Sequence, residues 1–296
     1  MNTGTKVILL IVNMIVSENL KAQEEEPVLA KCYYNFVHIN DTTQRSKHHD
    51  EEMVLYIGKD ASLYQTYTEE RMKERVAKQM EDPAFDGNLT IKGSSHTTSE
   101  SYYFQPTDKN FKELYKLGNE RYLLDGTYPE VRWKISNEVK EIGGYSCQRA
   151  DTELKGRKYT VWFALELPFP YGPWKLQGLP GLILEAKDSR DEVFFHYAGF
   201  DKMKKDSILF GVPDHLIKTN RKALTKLKEA FKKNPQAVAS AKSKGQSGSL
   251  VKSAPSATLL GDPLADPSRI KSVTVQKADD LDKVSAVTNN PIELQE

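Results

Sequence analysis

Between Val28 and Phe200 one pattern repeats: short runs of aromatic and β-branched residues, about ten residues apart, with Gly, Pro, Asn or Asp clusters between them. That spacing predicts a mainly β fold, an antiparallel β-sandwich or a partly open β-barrel. The clearest stretch is Lys140-Glu141-Ile142, which runs into Gly143-Gly144. Tyr145–Glu153 and Lys158–Leu165 then flank Lys155-Gly156-Arg157 as a β-hairpin. Residues 28–39, Met53–Ile57, Ser62–Thr68, Tyr102–Phe104 and Val193–Phe200 read as further strands. Arg121–Leu124 and Val131–Ile135 are expected to pair around the turn at Asp125-Gly126. One helix interrupts the series. From Glu69 to Met80 the chain is charged, with Met72, Val76 and Met80 on one helical face, and Asp82-Pro83 ends it.

The corner Tyr171–Asp188 organises the rest. In Leu179-Pro180-Gly181-Leu182 the proline suits the first turn position, and Gly181 would supply the positive φ of a type II turn. Leu182-Ile183-Leu184 reads as a short buried strand. Gly172-Pro173 makes a second turn, which sets Trp174 between two bends. Two readings follow: a rigid corner closing the sheet over its core, or a fixed lip that presents Trp174 and Lys175 to a ligand. The glycines do not form a phosphate loop, because no Gly-Lys-Ser/Thr and no helix follow.

Gly178-Leu179-Pro180-Gly181-Leu182-Ile183, preceded by Gly172-Pro173-Trp174-Lys175, resembles the signature of the GLPGLI family, secreted proteins of Bacteroidota. Met53–Gly58, Trp133–Ile135, Gly144–Ala150, Gly156-Arg157, Trp162-Phe163 and the closing Asn289–Leu294 are similar to that family's pattern as well. The resemblance covers roughly residues 30–200 and the extreme C-terminus. It implies an exported, mostly β protein and transfers no catalytic residue.

The N-terminus agrees. Lys6 precedes the apolar run 7–16, too short to span a bilayer comfortably, and Ala22 offers a cleavage point. Residues 1–22 are read as a signal peptide, so the mature protein is expected in the periplasm or at the cell surface without a transmembrane span. Residues 23–210 form the β domain and 211–234 a basic amphipathic helix in which Leu216, Asn220, Leu224, Leu227 and Phe231 recur at helical spacing. Residues 235–296 form a low-complexity tail, expected to be disordered through about Pro267, with a C-terminal segment that docks back as an edge strand. Two cysteines, Cys32 and Cys147, permit one disulfide between strands of one sheet, or two buried thiols.

Reaction chemistry is sparse. Lys plus Arg (42) nearly equals Asp plus Glu (41), which gives no reason to expect a nucleic-acid partner. There is no Gly-x-Ser-x-Gly and no His-Glu-x-x-His. His48-His49 beside Asp50 reads as surface, His196 as structural, and no metal or cofactor is implied. Glu166, Glu185 and Asp188 are the carboxylates that a hydrolase would use, with Glu185 also a candidate ion-pair partner for Arg157 or Lys175. Trp133, Trp162, Trp174, Tyr171 and Lys175 are the candidate ligand contacts on an aromatic concave face. The favoured reading is an exported, non-catalytic β module binding a protein or an apolar ligand. The alternatives are a carrier of lipid or other apolar cargo, and a carboxylate hydrolase.

Overall fold

The structure, a computed structural model, describes residues 25–92, 97–118, 120–204, 208–213, 216–234, 250–253, 267–276 and 288–295. The signal peptide expected at 1–22 and most of the tail between 235 and 287 lie outside the described residues. The chain enters through β1 (Glu26–Pro27) and builds an antiparallel meander from β2 (Ala30–His38), β3 (His49–Ile57) and β4 (Ser62–Thr66). Helix α1 (Thr68–Glu81) and β5 (Asn88–Lys92) then leave the sheet, which β6 (Glu100–Gln105), β7 (Asn110–Leu117) and β8 (Glu120–Asp125) resume. A second meander follows: β9 (Lys134–Ile142), β10 (Tyr145–Leu154), β11 (Arg157–Ala164), β12 (Leu182–Asp188) and β13 (Val193–Lys202). β13 pairs with β2 and joins the two meanders. Among the described residues the later part of the chain adds β14 (Ile208–Phe210), β15 (Ile217–Thr219), α2 (Arg221–Lys233), β16 (Val251–Ser253) and β17 (Ser272–Gln276).

The result is one open sheet of twelve strands in the order β15-β8-β7-β6-β4-β3-β2-β13-β12-β11-β10-β9. It is mainly β, as expected, and it does not close into a barrel. Its hairpins follow from local turn chemistry. Gly143 and Gly144 (φ 60° and 84°) join β9 to β10, and Lys155 and Gly156 (φ 51° and 78°) join β10 to β11. Two successive positive φ values give the twist that a two-residue hairpin needs.

The expected pairing of Arg121–Leu124 with Val131–Ile135 does not form. β8 pairs with β7 and, in parallel, with β15, while β9 lies at the far edge beside β10. The consequence is geometric. Ten inter-strand spacings of about 4.8 Å would put β8 roughly 48 Å from β9 in a flat sheet, but residues 126–133 reach only about 30 Å when extended. The sheet must therefore curl until its halves face each other. The crossing segment is half-buried, with Thr127, Glu130 and Arg132 exposed: Tyr128, Val131 and Trp133 pack against the main core, and Thr152 donates to the Arg132 carbonyl at 2.8 Å.

The inner face of the curl carries that core, where Tyr34, Phe36, Met53, Tyr64, Tyr102 and Phe195 from the first half and the seam meet Tyr159, Val161 and Phe163 from the second. The outer face buries Val54, Tyr56, Leu63, Tyr103 and Leu123 beneath the small sheet β1-β14-β16. In α1, Val76 and Met80 pack on Leu89, while Met72 stays exposed. The basic helix is shorter than its sequence pattern suggested. Residues 217–219 are extended in β15, and the Asn220 side chain caps α2 by accepting from the Ala223 amide at 2.9 Å. Asn220 thus leaves the apolar stripe for a capping role, and Leu224, Leu227 and Phe231 pack on Leu117, Tyr122 and Leu124.

Candidate functional site

The signature corner, residues 165–181 between β11 and β12, folds into the curl instead of projecting from it. Its backbone ties to itself: the amide of Gly178 donates to Pro170 (2.9 Å), that of Leu182 to Leu167 (2.9 Å) and that of Ile183 to Tyr171 (3.0 Å). Tyr171, Trp174, Lys175, Leu176 and Leu179 are all buried, Trp174 and Lys175 each to 2% exposure. The corner is thus packed on the core, and Trp174 and Lys175 do not project from it as a lip. Trp174 takes φ 54°, a strained left-handed value for a bulky residue, and its ring lies 5.9 Å from that of Tyr159.

The type II turn at Gly181 is corrected as well. Gly181 is not among the positive-φ glycines, whereas Gly178 is, at φ 90°. Gly181 is required by proximity: a Cβ there would come closer than 3.0 Å to the carbonyl of Ala164 on β11. Gly172 is enclosed in the same way by the Leu176 carbonyl and the Ile183 side chain. Pro180 is exposed, while Leu182 and Ile183 are fully buried at the start of β12. Gly181→Ala is expected to cost about 1–3 kcal/mol, because backbone has to move to admit the methyl group. A thermal melt checks this, and an unchanged midpoint would refute the close-approach account.

Two buried cations flank the corner. Lys175 Nζ donates to Glu113 (2.5 Å) and to Glu293 (2.6 Å), and lies 5.4 Å and 5.5 Å from the rings of Tyr102 and Phe111. Glu113 also accepts two bonds from Arg221 Nη2, both at 2.9 Å, which ties the start of α2 to the sheet. Arg157, with its side chain 1% exposed, uses all five of its N–H groups. Nη1 donates to Asp188 (2.7 Å) and Glu192 (3.1 Å), Nη2 to Asn290 Oδ1 (2.5 Å) and the Pro291 carbonyl (2.8 Å), and Nε to the Ile292 carbonyl (3.1 Å). The C-terminal segment therefore docks on the domain as an irregular chain, because these side chains capture it where an edge strand would use ladder bonds.

Between the inner face of the sheet, α2 and residues 291–295 lies a cavity of about 460 Å³. Its walls include Phe36, Met53, Tyr64, Tyr102, Phe195 and Trp174, with Arg221, Leu224 and Lys228 contributed by α2. The cations are already partnered, Arg221 by Glu113 and Lys228 by Glu100 at 3.4 Å. Burial holds the His38 imidazole neutral, its pKa pushed down to about 4. The neighbouring His49 bonds Glu51 at 2.9 Å, and Glu51 also accepts from Thr66 and from the Thr98 amide. Tyr64 is wholly buried; burial drives its hydroxyl pKa well above the ordinary value, and its oxygen has no hydrogen-bond partner among the described residues.

Of the five sequence-chosen contacts only Trp174 lines this cavity. Trp133 is partly buried and donates to the Gln177 carbonyl at 2.8 Å, which braces the corner. Trp162 lies under Lys140 Nζ at 4.6 Å, and Lys140 pairs with Glu185 at 2.5 Å. Glu185 therefore partners neither Arg157 nor Lys175. Phe36, Met53, Tyr64, Tyr102 and Phe195 read from the sequence as ordinary strand residues. The signal for them was their shared in-facing parity along β2, β3, β4, β6 and β13, which marks a face but not a void.

Each of the three candidate acids is engaged in a structural contact. Glu166 is exposed and accepts from the Ser146 amide at 3.3 Å, Glu185 holds Lys140, and Asp188 caps the Glu192 and Val193 amides while holding Arg157. Among the described residues no group of three or more His, Cys, Asp or Glu is placed to hold a metal ion. Cys32 and Cys147 are free and buried. They share a sheet, but β13, β12 and β11 separate their strands, so they do not pair. Burial pushes their thiols up to about 12 and about 11, which suppresses thiolate chemistry.

No protein-family model and no curated protein matches this chain. Two solved structures of PNGF-II are similar to part of this chain. One, in space group P21, is 12% identical with a TM-score of 0.47, covering 68% of this chain and 33% of its own. The other, in C2, is 15% identical with a TM-score of 0.45, covering 70% and 33%. The chain spans about a third of the length of those structures. A likeness of that size assigns neither a site nor an activity.

Proposed function

We propose that this chain is an exported, non-catalytic binding module of the GLPGLI type that holds an uncharged, largely apolar small molecule in the cavity beneath α2. The export and family parts rest on residues 1–22 and on the signature 172–183. The ligand part rests on the cavity. Its volume falls within the range of small-molecule sites, and its walls are aromatic. Its lining charges are mutually paired, which offers no unmatched charge to an ionic ligand. Tyr64 carries the reading furthest: a buried hydroxyl without a partner at an aromatic wall suits an apolar molecule bearing one polar group. Among the described residues no helix is long and apolar enough to cross a membrane.

Native mass spectrometry of the mature protein from its own host, compared with the denatured protein, tests the reading directly. An adduct that is lost on denaturation is expected; only the apo mass, with no saturable uptake of the uncharged dye Nile red, would remove it. Tyr64→Phe gives a second test with two opposite signs. The variant is expected to be more stable by about 1 kcal/mol, since an unpaired buried hydroxyl is costly. It is also expected to bind the co-purified molecule roughly tenfold more weakly, the size of one lost hydrogen bond. Stability and affinity falling together would contradict the assignment.

A protein partner is the second reading, and β9 favours it. This nine-residue strand ends the sheet and exposes Ile135 and Val139, an edge suited to pairing with another chain.

A further inference from the structure

The last described segment is held as a ligand is held. Residues 288–295 belong to no helix or strand, yet three of their polar side chains are read individually. The Asn289 side chain accepts from the Thr42 amide (3.0 Å) and hydroxyl (3.2 Å) and donates to Asp41 (3.0 Å). Asn290 accepts from Arg157 and donates to the Ile39 carbonyl (2.7 Å) and to Glu192 (3.0 Å). Glu293 binds Lys175. The backbone is read too: the amides of Asn289 and Asn290 donate to the Asn40 carbonyl, Leu294 donates to that of Lys155, and Arg157 takes the carbonyls of Pro291 and Ile292. Pro291 has a fixed φ, which lowers the entropy lost on ordering.

The receiving surface is built without the segment. It comes from residues 39–42 just after β2, the β10–β11 turn, the residues before β13 and the signature corner, and its ion pairs Arg157–Asp188, Arg157–Glu192 and Lys175–Glu113 are internal to the domain. Asn290 reaches Ile39 from 251 positions away, so nothing local in sequence brings the segment there. Buried charged donors aimed at peptide carbonyls, an asparagine bonded at both ends of its amide and a lysine for the acidic side chain together make a sequence-selective site.

We propose that the groove around Arg157 and Lys175 is a peptide-recognition site for Asn-Asn-Pro-Ile-Glu, occupied here in cis by the chain's own residues 289–293. The segment is a separable ligand of the domain. Because residues 291–295 also wall the cavity, its departure unroofs that cavity. This last consequence rests on the cavity reading of the preceding section, whereas the peptide site does not.

The test keeps the full chain. A recognition sequence for a site-specific protease is placed between Asp279 and Asp280, and the folded protein is cut. The expected result is a fragment that stays bound 1:1 through gel filtration, and exchanges with a fluorescein-labelled synthetic peptide of residues 287–296 in a saturable anisotropy titration. Peptides carrying Asn290→Ala or Glu293→Ala are expected to compete at least about tenfold more weakly, the equivalent of one charge-assisted hydrogen bond. Loss of the fragment on cutting with no saturable binding of the labelled peptide would overturn the proposal, as would equal binding of a scrambled peptide. Nile red uptake measured before and after cutting separates the two readings. Faster uptake once the fragment is displaced is expected; uptake at the same rate refutes the unroofing, and no uptake in either state condemns the cavity reading while the peptide titration still decides the site.

Discussion

Arg157→Ala is expected to destabilise the protein by about 3–5 kcal/mol, the range for removing one partner from a buried ion pair. On a domain of this size that corresponds to a fall in melting temperature on the order of 10 °C. The physical reason is what remains behind. Asp188 and Glu192 are nearly inaccessible, and without the guanidinium they are negative charges in the interior, while Asn290, Pro291 and Ile292 lose their donors. Arg157→Lys should recover little, because an ammonium has three donors and no planar fork where five bonds are made. The loss is also pH-dependent, with a definite sign. Burial alone would raise the Glu192 pKa, but hydrogen bonds from Arg157, Arg45 and Asn290 outweigh it and hold the carboxyl below its ordinary 4.5. A depressed carboxylate adds stability that is present above the unfolded value and lost as pH falls through the folded one. The gap between wild type and variant should therefore be widest at neutral pH and narrow as the solution is acidified below about pH 4. Denaturant titrations at several pH values check this. A gap that widens in acid, or a total effect under about 1 kcal/mol, would mean that Arg157 does not hold this network together.

Trp174→Ala is expected to cost about 3–5 kcal/mol as well, as large-to-small changes at buried tryptophans do. A surface lip would have predicted the opposite: weaker ligand binding on an unchanged fold. In the structure the indole fills the inside of the corner against Tyr159, lies 5.9 Å from Lys175 Nζ and forms part of the cavity wall, so its removal enlarges the cavity and loosens the buried ion cluster together. Trp174→Phe should retain most of the packing and cost clearly less. Trp174→Gly separates two contributions, because glycine accepts φ 54° without strain but fills nothing. Its melting temperature should still lie far below that of the wild type. If all three variants melt with the wild type and differ only in ligand affinity, the indole is a binding contact and not a core residue.

The corner shows how far local reading extends. Turn chemistry is set within a few residues, so Gly143-Gly144 and Lys155-Gly156 could be recognised as hairpin turns, and β10 and β11 follow within a residue of their expected ends, whereas β9 starts at Lys134, six residues before the expected Lys140. The alternation in β2 likewise reveals which side chains share a face, and Asp82-Pro83 marks the end of α1. These are nearest-neighbour effects of φ, ψ and pleat. Gly181 could be recognised as indispensable, but its reason is an approach to Ala164 from seventeen positions away, which no dihedral preference contains. Cys32 and Cys147 show the same divide: their strands could be named, but not the three strands between them.

By itself, then, the sequence determined the β character of this protein, the two tight turns that flank β10, the first helix and the existence of a rigid signature corner, because each depends on short-range sterics and periodicity. Only the tertiary structure decided that the corner turns inward, that Lys175 meets Glu113 and Glu293, that Arg157 seizes the C-terminal segment, and that a cavity opens under α2. Those contacts join residues 62 to 135 positions apart, and they form because an eight-residue crossing makes a twelve-strand sheet curl on itself, after which each buried charge must find a partner.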